Sequence, residues 1–107
     1  MSNLTFELPL TRIIALVEQW LADPSSVGYA ALLANRDIAH TECSRARSEA
    51  MKEVTQHAFL AADLAECSAH ANLMSSSDYA AKFAKSAKQY VADFHKLLKE
   101  AKNAEIQ

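Results

Sequence analysis

The chain has little that breaks or turns a backbone. Its 107 residues include one glycine, Gly28, and two prolines, Pro9 and Pro24, and the 79 residues after Gly28 hold neither type. A β-rich fold needs tight turns built on such residues, so their absence excludes one. Cysteine is equally scarce, at two residues, which is too few for a disulfide framework. The N-terminal Met1-Ser2-Asn3 lacks the basic and apolar regions of a signal peptide, and no apolar run is long enough to cross a membrane. These absences predict a reduced, soluble, cytoplasmic protein with no membrane partner. The net charge of −2 is far from the strongly basic balance of a nucleic-acid-binding domain, so nucleic acid is not the expected partner.

The fold class follows from what is present. Half the residues are apolar but only 7% are aromatic, and alanine supplies the largest share. Alanine favours helices and buries little area, which predicts a thin, closely packed core. The expected architecture is all-α: one domain over residues 1–107, a compact antiparallel bundle of three long helices, or four if the middle segment divides.

The pattern is clearest at the end of the chain. Ala80, Phe83, Ala87, Tyr90, Phe94, Leu97 and Ala101 recur in steps of three and four, flanked by Ala84, Val91 and Leu98. That spacing places one apolar stripe along a helix. Lys82, Lys85, Lys88, Lys96, Lys99 and Lys102 fall on the opposite side, across an arc of roughly 160° at about 100° per residue. Ser75-Ser76-Ser77-Asp78 reads as the capped start of this helix, which is expected to run to about Lys102. A first helix is expected from about Pro9 to Ala22, with Leu10, Ile13, Ile14, Val17, Trp20 and Leu21 facing inward. Asp23-Pro24 ends it, and Ser25 or Ser26 is the expected cap of the next helix.

Residues 27–74 contain no strong breaker. As one helix they would span about 70 Å. The reading favoured is two helices with a kink or tight turn between Asn35 and Thr55; a single long helix in an intertwined dimer is the alternative. Ala46, Ala50, Ala58, Ala61, Ala65 and Ala69 give this segment a small-residue face for close packing or a homodimer seam. The segment is also acidic, with seven acids against four bases, whereas residues 75–107 carry four acids against six lysines.

Candidate chemistry is sparse. His40-x-x-Cys43 and Cys67-x-x-His70 are mirrored about residue 55, so a hairpin turning near Thr55 would gather two thiols and two imidazoles into a tetrahedral zinc or copper site. His57 and His95 are its candidate auxiliaries. Glu53 with His57, and Asp63 with Ser68, are further pairs at about one helical turn. No Glu-x-x-His is present, which removes the di-iron bundle pattern. The last helix resembles, in spacing, that of cysteine-rich four-helix copper-binding proteins. That family carries cysteines where this chain has Ala84, Ala87, Val91, Phe94 and Leu98, so a thiolate copper store does not follow.

Trp20, Tyr29, Tyr79 and Tyr90 are the candidate interface aromatics, because Trp and Tyr dominate interface hot spots. The expected function is non-catalytic: a small bacterial or phage adaptor, chaperone-like subunit or inhibitor that binds another protein, or a second copy of itself, through helix faces. Metal binding at the His/Cys cluster is the alternative, and nucleic-acid binding through the lysine face is the third reading.

Overall fold

The computed structural model describes residues 4–45 and 47–106, with side chains described over 8–45 and 47–104. It contains four helices and, among the described residues, no strand: α1 (Leu4–Ala22), α2 (Tyr29–Cys43), α3 (Glu49–Leu73) and α4 (Ser77–Ile106). They form an elongated antiparallel bundle of 49 × 21 × 20 Å. The all-α expectation holds, in its four-helix form.

The middle segment divides at residues 44–48, and it does so without glycine or proline. Ser48 accepts a hydrogen bond from the Met51 amide and so caps α3. The bend itself is held by charge. Arg47 donates to the Glu42 carboxylate at 2.6 Å and to Thr55 Oγ1 at 2.8 Å, while Arg45 reaches the other Glu42 oxygen at 3.2 Å. Glu42 and the Arg47 side chain are both buried, so the last turn of α2 is tied to the first turns of α3 across the bend.

α3 is the central element. It packs on α1, α2 and α4, whereas the backbones of α2 and α4 do not approach each other among the described residues. Ala58, Ala61, Ala62 and Ala65 are almost wholly buried along its length, opposite Ala87, Val91 and Phe94 of α4 and Leu10, Ile13, Ile14 and Val17 of α1. The seam of small residues is therefore a packing surface within one chain; Ala50 is exposed and Ala46 lies outside the described residues. Near the α3–α4 bend, Ser68 Oγ donates to the Ala80 carbonyl at 2.6 Å in a buried setting. Ser68 thus bonds across the helix pair and not to Asp63.

Boundaries differ from the sequence reading in three places. α1 begins at Leu4, placing Pro9 inside the helix; the missing amide of Pro9 deprives only the Thr5 carbonyl of its donor, so the first turns still form. Neither Ser25 nor Ser26 caps α2. Asp23 Oδ1 instead accepts from the Ser25 amide and hydroxyl, closing a 3-10 turn over Pro24–Ser26, and α2 starts behind Gly28 with no side-chain cap. α4 continues past Lys102 to Ile106, because no residue there interrupts it.

The bend between α3 and α4 uses serine where glycine is the usual residue. Ser75 has φ of 60°, the Ser76 amide reaches back to the Ala71 carbonyl at 2.8 Å, and the Ser75 amide bonds Asn72 at 3.1 Å. These are the bonds of a Schellman turn with a left-handed residue. Ser75→Gly is expected to stabilise the fold by about 0.5–1 kcal/mol, since it removes the Cβ penalty at this φ. Ala65→Leu is expected to cost about 1–3 kcal/mol by overfilling the α3 seam. Urea unfolding of both variants checks the two signs.

Candidate functional site

The C-terminal half of α3 carries Asp63, Glu66, Cys67 and His70 at helical spacings of i, i+3, i+4 and i+7, which is one stripe. The start of α2 lies over this stripe and brings Tyr29 and Arg36 to it. Tyr29 Oη donates to one Glu66 oxygen at 2.7 Å, and Arg36 Nη1 donates to the other at 2.9 Å. The second guanidinium nitrogen of Arg36 bonds Asp37 at 3.1 Å. Glu66 is buried, so its charge is tolerated because both oxygens are occupied by donors. The Tyr29 ring meets His70 with centroids 6.0 Å apart.

Beside this network a groove of about 490 Å³ opens between α2, α3 and α4, lined by Tyr29, Glu66, Cys67, His70, Met74, Tyr79 and Phe83. Tyr79 stacks on Phe83 at 6.4 Å, and the Lys82 ammonium lies 5.7 Å from the Tyr79 ring centre. A larger hollow of about 630 Å³ at the α2–α3 bend is walled by charges of both signs, including Arg45, Glu49 and Lys52. Those three form ion pairs, Lys52 with Glu49 and Arg45 with Glu42. These charges are engaged in ion pairs, which leaves the Glu66 groove as the better candidate.

The local field shifts three groups here. The hydrogen bond to Glu66, then burial and the negative charge, push the Tyr29 phenol up. Burial, reinforced by Asp63 and Glu66, raises the Cys67 thiol. The bond to Asp37 raises Arg36 despite its partial burial. Cys43 is pushed up mainly by burial. Neither thiol is therefore primed as a nucleophile.

The structure does not bring the four His/Cys residues together. The chain turns at residues 44–48, not near Thr55, so Tyr29 faces His70 and His40 faces Phe59. Cys43 lies beside the Thr55 carbonyl at 4.0 Å. Thr55 and Cys67 are about 18 Å apart along α3, which separates the two halves of the proposed tetrad. His57 bonds the Glu53 backbone carbonyl at 2.9 Å and meets Tyr90 edge-on, and His95 pairs with Glu18 of α1 at 3.2 Å; neither is an auxiliary to a metal cluster.

The aromatic candidates also separate. Trp20 is 4% exposed and belongs to the core, so it is no surface anchor. Tyr90 is half-buried against His57, and Tyr29 is engaged with Glu66. Tyr79 alone of the four is well exposed, at 61%. All six α4 lysines are exposed on the side away from the core, as the periodicity predicts.

The Tyr29–Glu66–Arg36 network was not anticipated from the sequence. Its signal was present: Glu66 borders the alanine stripe of Ala58, Ala62, Ala65 and Ala69 one position beyond Ala65, where a buried carboxylate needs a donor from a neighbouring helix. Comparison of the chain with family models, curated proteins and solved structures finds no match in any of the three.

A phenol that ionises later in the folded protein than in the unfolded chain contributes stability that is complete below its unfolded value of about 10 and is lost as the pH rises through the higher folded value. Tyr29→Phe is accordingly expected to be less stable than the parent below about pH 10, with the difference closing at more alkaline pH. Urea unfolding at a series of pH values measures it.

Proposed function

We propose that this chain is a non-catalytic helical interaction module that receives the apolar face of a partner helix in the groove between α2, α3 and α4. The supporting observation is the cluster of exposed apolar side chains at the rim. Met74 is 66% exposed and Tyr79 61%, and both line the groove, with Leu73 equally exposed beside Met74. Large apolar side chains grouped around a concave surface mark recognition sites, and an amphipathic helix is the usual occupant of such a groove.

The polar groups at the site argue for binding in preference to catalysis. The Glu66 carboxylate is bound by Tyr29 and Arg36, and the raised thiol of Cys67 disfavours nucleophilic chemistry. Two free, well-separated cysteines suit a reducing compartment such as the cytoplasm. No helix among the described residues is long and apolar enough to cross a membrane.

The test is photo-crosslinking in the cell with benzoylphenylalanine in place of Tyr79 or, as a control, Lys96. A discrete adduct is expected from Tyr79, none from Lys96, and loss of the Tyr79 adduct on adding Met74→Asp. An adduct at twice the chain mass identifies a second copy as the partner. Absence of any adduct from Tyr79, or one that persists with Met74→Asp, overturns the reading.

A further inference from the structure

We propose that Asp63, Cys67 and His70 on α3 form a binding site for a thiophilic divalent cation of the zinc class, with the buried Glu66 carboxylate at its edge. The inference does not depend on the groove receiving a partner helix. One ligand atom from each of Asp63, Glu66 and Cys67 lies within 4.8 Å of the others. The edge of a tetrahedral zinc site with bonds of about 2.1–2.3 Å is roughly 3.4–3.8 Å, so rotamer changes of about 1 Å close this trio, and the exposed His70 side chain is left to turn in as a further ligand. His70, three residues after Cys67, stands outside that trio on the same helix face and lines the same groove as Cys67 and Glu66.

These ligands are available. No hydrogen bond or ion pair joins the Asp63 carboxylate, the Cys67 sulfur or either ring nitrogen of His70 to another described residue. Glu66 differs, because Tyr29 and Arg36 already hold it. Charge points the same way. Asp37, Asp63 and Glu66 contribute three negative charges, whereas Arg36 is the cation paired with two of them. A divalent ion would offset the excess. On binding, the Cys67 S–H proton passes to solvent and the sulfur electron pair forms the bond to the ion, with no change of oxidation state.

The proposed set takes one of the two motifs named in the sequence and leaves the other. Cys67-x-x-His70 gains Asp63 from its own helix, while His40 and Cys43 take no part.

The experiment titrates the reduced full chain with Co²⁺ and records the near-ultraviolet thiolate-to-metal charge-transfer band. A saturable band at one ion per chain is expected, retained by Cys43→Ala and abolished by Cys67→Ala. His70→Ala and Asp63→Asn are each expected to weaken binding by more than about tenfold, the loss that even removing an outer-shell partner brings. All four positions are half-buried or exposed, and circular dichroism checks that each variant folds. A missing band, a band that survives Cys67→Ala, a band that requires Cys43, or unchanged affinity in both His70→Ala and Asp63→Asn overturns the proposal.

Discussion

The close approach of helices to the alanine seam of α3 is the constraint on which the rest of the structure depends. Ala58, Ala61, Ala62 and Ala65 carry one methyl each, so neighbouring helices must come near before Phe94, Leu32, Leu10 and Ile14 can close the core. A central helix of this kind contributes little apolar area of its own. Its neighbours supply the large side chains and it supplies the fit. The stripe of α4 and the inward face of α1 are consequently the most hydrophobic surfaces, and α3 can be central while remaining rich in alanine.

The same constraint explains why charge enters the interior at α2. Its buried positions are Leu32, Asn35, Ala39 and Glu42, of which two are polar. Such a helix gains too little from apolar burial to define its register, and polar contacts supply the definition. Asn35 donates to the Ile13 carbonyl of α1 at 3.1 Å, Glu42 is gripped by Arg47, and Glu66 of α3 accepts from both Tyr29 and Arg36. These bonds tie the start of α2 to α3, its middle to α1 and α3, and its end to the bend. Buried ion pairs contribute specificity more dependably than net stability, and that is the role their placement suits here.

The fold was legible where apolar side chains alone decide it. The α4 stripe from Ala87 to Ala101 and the α1 face from Leu10 to Trp20 pack inward as their spacing requires, whereas Phe83 at the start of the α4 stripe lines the groove. The bend at residues 44–48 was less legible because a buried arginine-carboxylate clasp stabilises it in place of a turn residue, and the partners, Glu42 and Arg47, look like ordinary surface charges in a linear reading. The candidate site failed in sequence for a related reason. The mirrored His/Cys motifs invited a hairpin centred on residue 55, and moving the turn toward the bend takes Cys43 away from Cys67. Pairwise spacing along a helix is visible in sequence, but the offset between two helices is set by the turn that joins them.

That offset also accounts for the position of the groove. α2 is 15 residues long and α3 is 25, so with the bend fixed by Glu42 and Arg47 the shorter helix ends before the longer one. Tyr29 is therefore the last α2 residue able to cover α3, and it does so at Glu66 and His70. Beyond it, α2 no longer covers the final turn of α3 and the first turns of α4 on this side, which leaves Met74, Tyr79 and Phe83 facing an open surface. The exposed apolar rim and the half-covered stripe from Asp63 to His70 thus have one cause: a short second helix anchored at the wrong end to close the bundle.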